Sequence, residues 1–433
     1  MQRRVVPPSL GLWVLLAIVF TLGAWLSSGT LSPYAASYRE LEIIEPCQYL
    51  GNVDHAQYMA HFHMLRGDAR ELWAYTRHLR RILYPLIAFP FVTVAGVEWG
   101  GLVVNVLIHL LSAFWFLRFL HTRFGEQAAR TAAILLATYP GAMYWIGLPY
   151  SYALIVPSCL VFAIALYHLD DESLSLRSLL GWSLLMGVLF VGYDLFPIFA
   201  PAALIVLLRR RRFVFAAIAS AMLVLPTLVV ALLLAYVAQV PTMNENTRIF
   251  GTILGAYLGR FGTEGWMELL AEVPYVFIES FFAGNFFVLP TLFLLAIVIS
   301  FVRFGRIEFD RIEGAILTAT AGLFLFLNLA PPYPGWQMRG MWIPRLYQPV
   351  FIPFILYVIR ILRSVTGNTR RLLQVAIVVC ALANGAILVS PVFAWSPGIT
   401  LYVLFYKHAA IDTMQKNLAV YGRRPLGFCR ASE

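Results

Sequence analysis

The residues of this chain best suited to chemistry crowd into one polar stretch. Gly51-Asn52-Val53-Asp54-His55-Ala56-Gln57-Tyr58 offers a carboxylate, an imidazole and a phenol, and Arg80-Arg81-Ile82-Leu83-Tyr84-Pro85 follows it. Between residues 30 and 81 the charges balance: Arg39, Arg66, Arg70, Arg77, Arg80 and Arg81 stand against Glu40, Glu42, Glu45, Asp54, Asp68 and Glu71. The stretch also holds His55, His61, His63 and His78, half of the chain's eight histidines, which is too much ionisable chemistry for a passive connector. A helix over 53–65 would set Asp54, Tyr58 and His61 on one face and leave Met59, Phe62 and Leu65 to rest on a membrane. Asp54 then has two readings. It is a general base held at the mouth of a helix bundle, or it is an N-cap that accepts from the first free amides of a helix.

Fixed positive charge is available in two places. Arg80 and Arg81 precede Tyr84-Pro85, and Arg339 and Arg345 flank the loop Pro331 to Gln348, with Tyr347 two residues beyond Arg345. A guanidinium stays charged and binds phosphate oxygens bidentately, so Arg345, assisted by Arg339 or Arg81, is the candidate for a phosphate-bearing donor. Snorkelling of Arg345 beside Trp342 and Tyr347 is the structural alternative. Asp194, in Gly192-Tyr193-Asp194-Leu195-Phe196-Pro197, lies between two apolar runs. It either faces a polar cavity shared with the site or caps a helix at a tight turn. His61 and His63 could begin a divalent-metal site, but side chains at i and i+2 diverge on a helix and no third ligand accompanies them. No cofactor is specified, and metal use stays open.

The elements that must hold these groups are set by composition. Of 433 residues, 60% are hydrophobic and 12% charged, against about 25% charged in soluble domains. This is a polytopic membrane protein, a single all-α domain over 1–433. Apolar runs near 9–29, 100–118, 129–147, 150–168, 178–192, 194–208, 213–236, 284–302, 313–330, 345–363 and 372–391 predict about eleven spans. The first is read as a retained helix because it lacks a convincing cleavage site. The net charge of +10 lies in short arginine clusters between apolar runs, where it sets orientation rather than binding nucleic acid.

Those clusters are Arg3–Arg4, Arg118 with Arg123 and Arg130, Arg209–Arg212, Arg303 with Arg306 and Arg311, and Arg360, Arg363, Arg370 and Arg371. All reach the cytoplasmic side only if 82–97, short and carrying Pro85 and Pro90, is interfacial or re-entrant rather than spanning. The outer face then holds the loop 30–81, the segments 237–283 and 331–344, and a tail 392–433. No internal repeat of the kind common in transporters is evident. Cys47 and Cys429 both fall on that outer face, where a disulfide is permitted, although two free thiols is the favoured reading.

One spanning helix, an outer loop with Asp54 and Tyr58 four residues on, the segment Arg81-Ile82-Leu83-Tyr84-Pro85-Leu86, and then a bundle: this order resembles the GT-C superfamily of membrane glycosyltransferases, chiefly over residues 1–170. Arg345-Leu346-Tyr347 is similar to the late Arg-Tyr element of those enzymes, and Ala137-Thr138-Tyr139-Pro140 to their Pro-ending third helix. The resemblance implies a GT-C-like fold and an inverting transfer of a sugar from a polyprenyl-phosphate donor to a lipid, glycan or protein acceptor. It makes Asp54 the catalytic residue and Arg345 with Tyr347 donor-binding residues; Arg339 and Arg81 stay donor-binding candidates, and His55, Tyr58 and Asp194 candidates for the cavity, on the chemistry of the residues alone. Tyr150-Ser151-Tyr152 stands where the mannosyltransferase branch has Tyr-Ser-Glu, so sugar identity and metal use do not transfer. A polytopic transporter or lipid-linked-glycan flippase is the alternative. Lysine occurs only at 407 and 416, which points to a GC-rich bacterial source and an inner (plasma) membrane, with the site facing outward.

Overall fold

The computed structural model describes residues 16–22, 48–49, 61–62, 65, 81–146, 150–193, 196–236, 288–329, 348–389 and 424–425. Apart from one pair of two-residue strands, the described residues are helices joined by turns. In hydrocarbon a helix satisfies its backbone polar groups within its own segment, so continuous apolar runs resolve into helices. Residues 16–22 form α1. The helix Leu83–Phe124 is broken at Gly96 (φ 76°, ψ 169°) into α2, Leu83–Gly96, and α3, Trp99–Phe124. Then come α4, Glu126–Ala137, and α5, Pro140–Ile146, followed by a 3-10 turn Ser151–Leu154 that leads into α6, Ile155–Leu169. The chain continues through α7, Leu176–Phe190, α8, Phe199–Arg209, and α9, Phe213–Tyr236. It ends its described bundle with α10, Val288–Phe304, α11, Arg311–Leu329, α12, Phe351–Ser364, and α13, Gly367–Val389.

Among the described residues, three helical stretches are long and apolar enough to cross a membrane: Trp99–Phe124, Ser151–Leu169 and Phe213–Leu234. Four other apolar helices among the described residues, Leu83–Gly96, Leu176–Phe190, Phe196–Arg209 and Val288–Phe304, are shorter. The run 129–147, read in sequence as one span, is interrupted at Thr138 and Tyr139 between α4 and α5. Pro140 supplies the reason, since a proline disfavours helical geometry in the residue before it but is well placed at a helix start. Gly96 does the same for the run that begins at Leu83. There the chain doubles back so sharply that a Cβ on Gly100 would lie 2.5 Å from the carbonyl carbon of Phe91.

Burial sorts the three long helices into roles. The Ser151–Leu169 stretch is 89% buried and forms the centre, while Phe213–Leu234 is 17% buried and lies at the rim. With lipid as solvent, tight packing and small residues rather than hydrophobicity hold helices together. Accordingly α4 presents Ala128, Ala129, Ala132 and Ala133 as its buried face. Helix α7 meets α9 at Gly187, where a Cβ would lie 2.7 Å from the Met222 carbonyl oxygen and 2.8 Å from that of Leu223. Phe162 on α6 gathers Phe190, Phe196 and Phe199, and Phe293 on α10 stacks on Phe354 of the buried helix α12 at 4.4 Å.

One end of the bundle collects the arginine clusters. Arg210, between α8 and α9, bonds Asp170 at 2.9 Å and Glu172 at 2.9 Å in the α6–α7 turn. Arg212 donates to the carbonyls of Asp171 and Glu172 at 2.7 and 2.8 Å. Arg311 lies 3.6 Å from Asp170, and the Tyr167 hydroxyl donates to Asp310 at 3.1 Å. Arg123 covers the Tyr167 ring, and Arg363 covers Phe124. Arg360 pairs with Glu313, which is only 1% exposed, at 2.9 Å, and donates to the Glu308 carbonyl. Arg303 meets Thr369, and Arg370 meets Gln127. Removing Arg360 leaves the buried Glu313 carboxylate without its partner, which destabilises the fold. Hydrogen bonds that Arg210 donates to the Asp170 and Glu172 carboxylates hold its guanidinium above its ordinary pKa. Hydrogen bonds donated by the Ser173 amide and hydroxyl hold the Asp171 carboxyl below its ordinary pKa. The described arginines of these clusters thus share one end of the fold, and Arg3 and Arg4 lie outside the described residues.

Candidate functional site

The opposite end holds Arg81. Helix α6 runs from this end to Asp170 at the arginine-rich end, so the 3-10 turn Ser151–Leu154 at its start marks the far side. Arg81 is 5% exposed. Its guanidinium carbon lies 5.0 Å from the ring centre of Tyr193 and 6.0 Å from that of Tyr152. The two rings stand perpendicular to each other at 5.4 Å, with Tyr150 edge-on to Tyr152 at 6.2 Å and Phe196 against Tyr193 at 5.5 Å. The Ser151 hydroxyl donates to the Arg81 carbonyl at 3.5 Å, a long bond.

Local sequence explains the assembly. Pro85 sits in the first turn of α2, where a missing amide is tolerated, so Arg81 lies immediately before the helix rather than within it. Gly192 lets the end of α7 approach, because a Cβ there would meet Leu154 Cδ1 at 2.9 Å and Leu83 Cδ2 at 3.3 Å. That contact joins three separate stretches, 81–84, 150–154 and 192–193. A cation over an aromatic ring gains about 0.5–2 kcal/mol per contact, and two such rings orient a guanidinium. The in-plane N–H donors of a guanidinium match the oxygens of a phosphate or carboxylate.

A second polar feature, not drawn from the sequence, lies within α3. Asn105, His109 and Ser112 are buried at i, i+4 and i+7. The Asn105 amide donates to the Ile146 carbonyl at 2.9 Å and so closes the end of α5. His109 Nδ1 contacts the Asn105 carbonyl at 2.8 Å, and Ser112 donates to the His109 carbonyl at 3.1 Å. Phe20 of α1 packs edge-on to the His109 ring at 5.9 Å. Three polar residues at helical spacing inside the apolar run 100–118 were the available signal.

The other sequence-derived residues Asp54, His55, Tyr58, Asp194, Arg339, Arg345 and Tyr347 lie outside the described residues, as do His63, Cys47 and Cys429. Their described neighbours are buried. His61 is 1% exposed, Tyr193, which precedes Asp194, 2%, and Gln348, which follows Tyr347, 1%. The turn Gln348–Val350 packs against α6 and α11. Phe62 departs from expectation: instead of resting on a membrane surface, it is 1% exposed in the core. Gln48–Tyr49, within 30–81, pairs antiparallel with Arg424–Pro425, within 392–433. Among the described residues no group of three metal-ligating side chains occurs. Comparison of the chain with protein-family models, with curated proteins and with solved structures returned no match in any of the three.

Proposed function

We propose that the chain is an inverting GT-C-type glycosyltransferase that moves a sugar from a polyprenyl-phosphate donor to an acceptor at the outer membrane face. The observation that carries this reading is the buried guanidinium of Arg81, clamped by Tyr152 and Tyr193 at the end of the bundle opposite the arginine clusters. Basic residues collect on the cytoplasmic side, so that end faces outward. Helix α2, with 14 residues and a length of about 21 Å, is too short for a hydrocarbon core of about 30 Å, and it serves as the interfacial or re-entrant element beneath the site.

In the reaction the acceptor hydroxyl oxygen attacks the anomeric carbon, Asp54 takes the hydroxyl proton, and the bond to the polyprenyl phosphate oxygen breaks with inversion. The leaving phosphate is weakly basic and needs no second acid of the kind paired-carboxylate glycosidases use. It needs positive charge. Arg345 supplies it with Arg339 and Arg81, and Tyr347 lies two residues beyond Arg345. His55, Tyr58 and Asp194 are the candidates for the surrounding cavity.

A transporter or lipid-linked-glycan flippase is the competing reading, favoured by the buried Asn105, His109 and Ser112 within a spanning helix. Purified protein in proteoliposomes carrying radiolabelled polyprenyl-phosphate sugar separates the two. Transfer of label to an acceptor, abolished in Asp54→Asn, supports the enzyme. Movement of the label across the bilayer without cleavage of the sugar–phosphate bond replaces it with the flippase.

A further inference from the structure

The arginine-rich end contains two kinds of guanidinium. In the run Arg209–Arg212, Arg210 and Arg212 turn onto the α6–α7 turn, as described above. Arg211 is exposed, and among the described residues it has no ion-pair partner. It also stands at φ 57°, the one non-glycine residue with positive φ among those described. Glycine or asparagine would take that conformation more cheaply, so the fold keeps an uncompensated cation here against its backbone preference.

Arg177, in the first turn of α7, is likewise exposed and without an ion-pair partner among the described residues. Gly187 meets Met222 and Leu223 where α7 and α9 run side by side. Stepping back the same distance along both helices sets Arg177 level with Arg212 and Phe213. The bonds from Arg212 to Asp171 and Glu172 close the two turns on each other. Beside the two cations lie exposed apolar side chains, Leu176 51%, Phe213 66% and Val214 71% exposed, and the exposed Glu172 of the α6–α7 turn is held by Arg210.

We propose that this seam between α7 and α9 binds an anionic phospholipid, its headgroup phosphate held by Arg177 and Arg211 and its acyl chains laid along Leu176, Phe213 and the exposed face of α9. The charge is complementary: guanidiniums favour phosphate oxygens, and basic residues beside a membrane helix attract anionic lipid. The adjoining apolar face, on the least buried of the three long helices, continues from the headgroup site in the direction acyl chains take.

The test uses the full chain in nanodiscs of phosphatidylcholine with a minor fraction of phosphatidylglycerol. The readout is the ratio of the two lipids retained after detergent extraction, measured by mass spectrometry. Arg177→Gln with Arg211→Gln lowers the preference for phosphatidylglycerol roughly tenfold, whereas Arg118→Gln with Arg371→Gln, at exposed positions elsewhere on this end, leaves it unchanged. Arg211→Gly keeps a melting midpoint at or above the parent's and still loses part of the preference, which separates binding from folding should the double variant prove unstable. An unchanged ratio in Arg211→Gly and the double variant overturns the site, and so does an equal fall in the Arg118/Arg371 pair, which would assign the preference to diffuse charge.

Discussion

Replacing Arg81 by Lys distinguishes a donor-binding guanidinium from a structural one. Lys retains the charge and a cation–π partner for Tyr152 and Tyr193, so the loss to the fold is small, about 1 kcal/mol across the two contacts at 5.0 and 6.0 Å. It does not retain the planar fork. Charge-assisted hydrogen bonds contribute about 1.5–3 kcal/mol each, and substituting a point charge for a bidentate donor forfeits most of one of them. That loss corresponds to a fall in kcat/KM for the lipid-phosphosugar of about 10- to 100-fold. The assay is radiolabelled donor turnover by purified protein, with a melting curve on the same preparation. Donor kinetics equal to the parent's in a folded Arg81→Lys protein would refute the reasoning. So would a loss of activity that only tracks a collapse of the melting midpoint, since Arg81 would then be a packing residue alone.

Asp54→Asn keeps the capacity to cap a helix but loses the base, so transfer falls by about 10² or more while donor binding persists; near-parental turnover returns Asp54 to the capping role. Gly187→Ala places a methyl group 2.7 Å from the Met222 carbonyl oxygen, and overpacking of this kind lowers stability by about 1–3 kcal/mol, visible as a lower melting midpoint with donor KM unchanged. Asp171 is held below its ordinary pKa by Ser173, so its contribution is full above the unfolded carboxylate value of about 3.9 and is lost as pH falls through the lower folded value. The stability gap between parent and Asp171→Asn is therefore present near neutral pH and closes in acid; a gap that persists unchanged at low pH contradicts the assignment. A topology reporter in 331–344 reads outside and one at Glu308 inside, and the reverse reading places the Arg81 end in the cytoplasm and ends the proposed orientation.

Much of the class was written in composition and charge. A chain with so few charges cannot cover a soluble surface, and arginine clusters between apolar runs have one energetically acceptable destination, so membrane character and the gathering of Arg123, Arg210, Arg311 and Arg360 at one end followed from sequence. The sequence also singled out Arg81. What hydropathy could not resolve was helix continuity, because an apolar window reads the same on either side of a break. Gly96 and the Tyr139–Pro140 junction divide runs through backbone dihedrals, which depend on single residues. Nor could it show what holds Arg81. Tyr152 and Tyr193 are distant from it in the chain and each resembles an ordinary interfacial aromatic; they become a clamp only because Gly192, lacking a side chain, lets the end of α7 close on Leu83 and Leu154. The row Asn105, His109 and Ser112 was present at helical spacing all along, but its role in closing α5 required knowing that the Ile146 carbonyl ends beside it, a fact fixed by packing between helices and by no local pattern.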